Sequence, residues 1–211
     1  MRARKLLALT LAIALAGAGV AACGGGSGDG PPGGRQPAPE QAFLQSMVPH
    51  HSSAVEMATV AEAEAATPFV KRLAADIERS QTSEIAQMRR IHERLFGAPL
   101  KPDMGAHMAL GLSAQEAGME HMDGAAMIRG KRPFDRAFVD EMVPHHEGAM
   151  RMARVVLAKV RDPELRRLAQ DIIAAQKKEI EEMKRFRQRE FGSSAANAKA
   201  PTRGHPDGHG G

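Results

Sequence analysis

The sequence predicts an all-α protein, a four-helix bundle built from two helical hairpins. One observation is residue usage: 43% of the chain is hydrophobic but only 3% is aromatic, with 13 Met, no Trp and no Tyr. A core of Ala, Leu, Ile, Val and Met suits closely packed helices better than sheets. The second observation is a duplication, since residues 43–97 align with 138–192 without a gap and roughly 25 of the 55 aligned positions are identical. Two similar hairpins that each expose an apolar face are expected to close into a bundle.

The first 22 residues have the features of an export signal. Positive residues near the start precede an apolar run, and small residues lead into Cys23. The approach to Cys23 resembles a bacterial lipobox, so we expect residues 1–22 to be a lipoprotein signal peptide and Cys23 to be acylated. The protein would then be exported and anchored to the outer face of the cytoplasmic membrane. An ordinary secretory peptide with an incidental cysteine is the alternative. Because Cys23 is the only cysteine, an internal disulfide and a Cys-based metal site are excluded.

Segments rich in small and polar residues flank the predicted bundle domain, which covers residues 40–192. Residues 23–39 are too rich in Gly and Pro to be helical, so they are predicted to be a flexible linker behind the lipid anchor. Residues 193–211 are predicted to be a disordered tail for the same reason. The formal net charge is only +4, and the chain has no basic stripe, P-loop or dinucleotide-binding motif, so a nucleic-acid partner is not expected.

The first helix of each repeat carries core residues at spacings of three and four, which place them on one helical face. In the first repeat they are Phe43, Met47, His50, Ala54, Met57 and Ala61, and in the second Phe138, Met142, His145, Ala149, Met152 and Val156. Pro49 and Pro144 are predicted inside these helices, where each removes one backbone donor and disturbs the preceding turn. The alternative is that each proline marks a helix start.

The second helix of each repeat is expected to begin at Thr67-Pro68 and at Asp162-Pro163, with Thr or Asp as N-cap and Pro in the first turn. Gly97 and Gly192 are expected to end these helices as C-caps. Each repeat is therefore predicted to be a helical hairpin.

Residues 98–134 form a Met-rich and His-rich crossover between the repeats. Ser113 with Glu116 is a capping-box pattern, which predicts a short helix over about 114–129 that rests on the bundle. We expect a secondary, weaker metal site in this crossover. Its candidate ligands are Met104, His107, Met108, Met119, His121 and Met122.

The sequence MVPHH occurs once in each repeat and places two adjacent imidazoles on the core side of the helix. Counting outward from the two turns pairs His50 with Glu84 and His145 with Glu179. We therefore expect each glutamate to contact one histidine of its own pair, and the two pairs to approach each other across the core. A buried polar network that fixes helix pairing is the alternative to a metal site. The candidate metal ligands and their supporting residues are His50, His51, His145, His146, Met47, Met142, Met57, Met152, Glu84, Glu179, Met88 and Met183.

The repeated motifs resemble a known family. The pattern F-x-x-x-M-[VI]-P-H-H-x-x-A-x-x-M-A, followed downstream by Q-x-x-E-I-x-x-M, is similar to the bacterial family called domain of unknown function 305. The resemblance covers about residues 40–192. It implies a ferritin-like four-helix bundle and an association with copper, because the family includes an extracytoplasmic copper-binding protein.

The mixture of imidazole and thioether points to copper as the bound metal. Thioethers select Cu(I), and imidazole binds both Cu(I) and Cu(II). We expect copper sequestration or delivery outside the cytoplasm, with Glu84 and Glu179 orienting the imidazoles. A ferritin-like di-metal oxidase is an alternative, but its Glu-x-x-His signature on two helices is absent here. The third possibility is an envelope interaction module without metal.

Overall fold

The computed structural model of the protein describes residues 37–192, and these contain five α-helices, one 3-10 helix and no strand. The prediction of an all-α fold is confirmed. The predicted signal peptide, Cys23, most of the linker and the tail lie outside the described residues. No helix among the described residues is long and apolar enough to cross a membrane. The elements are α1 (Pro39–Glu64), α2 (Pro68–Phe96), the 3-10 helix (Met104–Leu110), α3 (Gly124–Ile128), α4 (Phe134–Leu157) and α5 (Pro163–Phe191).

The four long helices form two hairpins that pack against each other. Helix α1 packs along α2, and α4 packs along α5. The hairpins meet through α1 with α4 and, less extensively, through α2 with α5. The first helices of the two repeats, which carry MVPHH, therefore face each other at the centre.

The predicted helix ends are confirmed at three caps. The Thr67 hydroxyl accepts a hydrogen bond from the Val70 N–H at 3.3 Å, and the Asp162 carboxylate accepts one from the Leu165 N–H at 2.8 Å. Gly97 ends α2 with φ +68°, a conformation that glycine adopts without steric cost. These caps satisfy backbone groups that the helix ends would otherwise leave unpaired.

Pro49 and Pro144 lie inside α1 and α4, as predicted. Proline has no N–H, so Pro49 cannot donate to the carbonyl of Gln45 one turn earlier. That carbonyl instead accepts a hydrogen bond from the Asp103 N–H of the crossover at 2.9 Å. The proline therefore creates the acceptor that fastens the crossover to α1.

The crossover contains a short helix, as predicted, but the predicted range of about 114–129 is too long. Ser113 and Glu116 do form the reciprocal capping-box hydrogen bonds, at 2.9 and 3.2 Å, but the chain turns after them and only Gly124–Ile128 is α-helical. Gly118 has φ +68°, which a right-handed helix cannot accommodate. The 3-10 helix earlier in the crossover was not predicted.

The crossover is also part of the core, contrary to the expectation that it would only rest on the bundle. Ala117 and Ile128 are fully buried, and Leu110 is nearly so. At Gly148 of α4, an added Cβ would lie 2.3 Å from the Ala117 carbonyl oxygen. The glycine is required there because the crossover backbone crosses α4 in direct contact.

The apolar core has two parts, which we call the first and second apolar clusters. On α1, residues up to Val48 belong to the first cluster, and residues from Ala54 belong to the second. On α4 the order is reversed, since Met142 belongs to the second cluster and Ala149 to the first. The two helices thus cross between the clusters, and both HH pairs lie at that level.

Candidate metal centre

Four histidines occupy the middle layer of the bundle. His50, His51 and His146 are fully buried, and His145 is 5% exposed. The ring centroids of adjacent histidines are 6.3 Å apart in both pairs, His50–His51 and His145–His146. The repeated sequence therefore produces the same local geometry twice.

The two pairs meet across the interface between the hairpins, as expected. The ring centroids of His50 and His145 lie 3.7 Å apart with an interplanar angle of 39°. A single hairpin cannot build this contact, because it joins residues of α1 and α4. The histidines form one central cluster, which we call the histidine layer.

Each glutamate contacts one histidine of its own hairpin. Glu84 Oε2 is 2.7 Å from His51 Nε2, and Glu179 Oε2 is 2.7 Å from His146 Nε2. The predicted contact of each glutamate with its histidine pair is confirmed, but the partner given by residue counting, His50 for Glu84 and His145 for Glu179, is wrong by one position. An ionised carboxylate can only accept, so the contact places a proton on Nε2, and an imidazole that carries this single proton has a free lone pair on Nδ1.

Most imidazole nitrogens of the layer have no partner. Both nitrogens of His50 and His145 lack a hydrogen bond, and so does Nδ1 of His51 and of His146. The Ala117 backbone lies close enough to His50 to affect its protonation, but no hydrogen bond of acceptable geometry forms. A buried polar group left unpaired costs about 1–3 kcal/mol, so this layer is expensive unless something binds to it.

Burial keeps the central imidazoles neutral. Desolvation lowers the pKa of His50 well below its ordinary value, and the neighbouring His145, His51 and His146 lower it further. The pKa of His145 is also well below its ordinary value, first through desolvation and then through His146 and His51. A neutral imidazole has the free lone pair that a metal ion requires.

The methionines predicted for the site divide between the two apolar clusters. All six are buried. The first cluster contains Met47 and Met88 of the first repeat with Met152 of the second, and the second cluster contains Met142 and Met183 with Met57. Each group joins two methionines of one hairpin to one of the other. Three of the six predicted thioethers therefore lie in the apolar cluster on either side of the histidine layer.

Two buried glutamines were missed as site residues. Gln81 and Gln176 occupy equivalent positions in the repeats and are only 2% and 3% exposed. Neither amide atom of Gln81 has a partner, and the Gln176 carbonyl has none. The signal was present in the sequence, because both residues begin the repeated Q-x-x-E-I-x-x-M motif.

The candidate ligands of the crossover are dispersed. Met104 and Met108 are 56% and 68% exposed, whereas Met119 is buried in the first apolar cluster. Met122 lines a surface groove beside Pro49 together with Met104. His107 is buried, and its Nδ1 lies 2.6 Å from the Met104 carbonyl oxygen. His121 lies elsewhere, in a cleft that reaches His145.

Between residues 37 and 192, no three His, Asp or Glu side chains already converge as a metal site. The donors that fit a metal are instead the unpaired imidazole nitrogens, together with thioethers. Imidazole and thioether form a soft to intermediate donor set, which suits Cu(I) and Cu(II) better than Mg²⁺ or Ca²⁺.

The fold and this layer define a class of protein, an all-α domain of duplicated hairpins with a buried histidine cluster. The chain belongs to the DUF305 family: the model described as "Domain of unknown function (DUF305)" matches residues 40–187.

Solved structures resemble the chain over most of its length. Silver-bound CopM is 33% identical, covers 72% of this chain and 98% of its own, and has a TM-score of 0.60. Cu(I)-bound CopM has the same identity and coverage, with a TM-score of 0.59. A DUF305 protein of Streptomyces coelicolor, described as a candidate secreted protein, is 22% identical over 71% of this chain and 91% of its own, with a TM-score of 0.63. This last likeness concerns the fold alone.

One curated relative matches a shorter part. The uncharacterized protein L153 of Acanthamoeba polyphaga mimivirus is 39% identical over 49 residues. The match spans 23% of this chain and 32% of that protein.

Proposed function

We propose that this protein binds copper through its histidine layer and serves in copper sequestration or delivery outside the cytoplasm, on a bundle of ferritin-like type. The observation that carries the proposal is the set of unpaired nitrogens on four buried, duplicated histidines. Similarity to CopM, which has been solved with Cu(I), Cu(II) and silver, supports copper as the ion. The proposed lipid anchor at Cys23 would hold the domain at the outer face of the cytoplasmic membrane.

The ligand roles follow from the contacts of each side chain. His50 and His145 are proposed to bind copper directly, and Nδ1 of His51 and His146 to complete the set. Glu84 and Glu179 hold the outer nitrogens of His51 and His146 and so fix the tautomer and ring orientation.

The six buried methionines are proposed to supply thioether ligands when the ion is Cu(I). The His50 and His145 rings are in contact, so binding requires them to separate. That separation exchanges an unfavourable contact between unpaired polar rings for metal bonds.

A copper titration of the purified chain tests the proposal. Both Cu(II) and, under reducing conditions, Cu(I) should bind much more tightly to the wild-type chain than to the variant with His50, His51, His145 and His146 all changed to Ala. Equal affinities would refute the proposal.

Two further variants separate ligand loss from misfolding. The double variant Glu84→Gln/Glu179→Gln keeps every imidazole but loses the carboxylates, and its copper affinity should fall by about 10-fold to 100-fold. The control is His92→Ala/His107→Ala, which removes two other buried histidines. Their Nδ1 atoms already contact backbone carbonyls at 2.9 and 2.6 Å, so this variant should keep the tight site.

A further inference from the structure

A cleft beside the crossover reaches the histidine layer at His145. Its volume is about 230 Å³, and it is lined by Met57 of α1, by Pro144 and His145 of α4, and by the crossover around Gly118. His145 is more than nine-tenths buried, lines the cleft and has no partner on either ring nitrogen. The other three histidines of the layer are fully buried and do not line it.

The outer part of the cleft carries groups that attract and bind cations. Glu120 and His121 of the crossover are exposed, and Glu141 of α4 is half-buried. Arg151 also lines the cleft, and its guanidinium donates to the Glu116 carbonyl at 2.9 Å. Two carboxylates against one guanidinium leave these groups with a net negative charge.

The equivalent face of the first hairpin has a different chemistry. The groove beside Pro49 is lined by Met104, Met122 and Glu56, and no histidine of the layer lines it. The two faces also differ at a position of the duplication that contacts the crossover, where Ser53 of the first repeat corresponds to Gly148 of the second. Gly148 lets the crossover cross α4 closely, and Gly118 then packs against the carbonyl of His145.

We propose that the cleft over His145 is the passage by which a copper ion enters and leaves the histidine layer, with Glu120, His121 and Glu141 collecting the ion at its mouth. Carboxylates and an exposed imidazole bind hydrated Cu²⁺ weakly and exchange it readily. Met57 and His145 at the inner end offer a thioether and an imidazole. The ligands thus become softer from the mouth to the core. This inference rests on the proposed copper function.

Chemical labelling tests the passage without any metal. Diethyl pyrocarbonate modifies accessible imidazole nitrogens, and mass spectrometry locates the products. In the metal-free chain, His145 should be modified several-fold faster than His50, His51 or His146. Equal rates among the four, or faster modification of another member, would refute the passage.

Copper kinetics test the capture role. Stopped-flow transfer of Cu²⁺ to and from a chromophoric chelator should slow about 3-fold to 10-fold in Glu120→Gln/Glu141→Gln at low salt, in both directions, while the equilibrium affinity changes less than 2-fold. The Lys double variant at the same positions should be slower still. Raising the salt should reduce the difference, because it screens the charges at the mouth.

The matched control is Glu56→Gln/Glu93→Gln, which removes two carboxylates outside the cleft. Its transfer rates should equal those of the wild type, and an equal slowing in both double variants would refute capture by the cleft. The two proposals fail differently. Tight copper binding without preferential labelling of His145 would refute the passage alone, whereas preferential labelling without tight binding would refute the proposed function and remove the role of the passage.

Discussion

Acidification should destabilise the metal-free protein through two central histidines. Burial lowers the pKa of His50 and His145 well below the ordinary value of 6.5. In the unfolded chain both imidazoles titrate near that ordinary value. Below about pH 6.5 the unfolded state therefore binds more protons than the folded state, so the free energy of unfolding falls as the pH falls. This contribution is fully present above pH 6.5 and is lost on the acid side.

The magnitude follows from the unfolded-state pKa and the pH. For each histidine that stays neutral in the folded state, the free energy of unfolding falls by about 1.4 kcal/mol between pH 7.5 and pH 5.5, because one pKa unit corresponds to about 1.4 kcal/mol. The two histidines together give about 2.7 kcal/mol. His51 and His146, each bonded to a carboxylate, also face these rings and are unchanged in both variants of the urea assay. Such a loss is a large part of the 5–15 kcal/mol that typically stabilises a domain.

The assay is urea denaturation of the chain at pH 7.5 and 5.5, with a chelator present throughout. The double variant His50→Leu/His145→Leu should lose most of the pH dependence, because neither Leu can take up a proton when the chain unfolds. The control His121→Asn removes a surface imidazole and should keep the wild-type dependence. A wild-type chain equally stable at both pH values, or a Leu variant with an unchanged dependence, would refute the reasoning.

Three further predictions concern the shared site, a buried cap and the crossover. The single variants His50→Ala and His145→Ala should weaken the tightest copper site by similar factors, and the double variant should have an affinity only slightly lower than either. Additive losses of binding free energy in a copper titration would instead show two independent sites. Asp135→Ala should lower the free energy of unfolding by about 2 kcal/mol or more, because this buried carboxylate accepts hydrogen bonds at 2.8 and 2.9 Å from two backbone N–H groups before α2; an unchanged urea midpoint would contradict this. Gly148→Ser should lower the free energy of unfolding by about 1–3 kcal/mol, because the added Cβ meets the crossover backbone. The reverse change in the first repeat, Ser53→Gly, should lower it by less than about 1 kcal/mol. Equal urea midpoints for the two variants would rule out the close crossing.

The positions of the repeats could be predicted because they depend on local rules. Spacing of three and four defined the buried faces, and Thr67-Pro68 and Asp162-Pro163 defined the second helices. The predicted position of Glu84 along the bundle axis was correct, but its partner is His51 and not the predicted His50. A count along the axis resolves about 1.5 Å per residue, whereas His50 and His51 differ mainly by a rotation of about 100° around the helix. Which of two adjacent side chains faces α2 depends on how the hairpin packs.

The crossover could not be predicted from local rules because tertiary contacts decide its path. The capping box at Ser113 forms as the sequence suggests, yet the helix does not continue. Gly118 turns the chain onto α4, and Asp103 reaches the carbonyl that Pro49 leaves free on α1. Both contacts, of Gly118 with α4 and of Asp103 with α1, join residues that are far apart in the sequence. Local propensity favoured a helix, and packing against the duplicated helices overrode it.

The duplication and the glycine at position 148 of its second copy would meet two different requirements of the proposed metal-binding function. Matching hairpins place imidazoles of both repeats in one layer, where each repeat alone would leave its histidines unpaired at an exposed face. A strictly symmetric molecule would offer two equal routes to that layer or none. Because only the second repeat has glycine at this position, the crossover packs closely on α4, and the cleft beside it reaches His145. The proposed ligands are thus nearly symmetric, while the cleft is lined by only one of the four histidines, His145. In the proposed passage, residues at the mouth of the cleft would therefore set the exchange rate without altering the ligands that set the affinity.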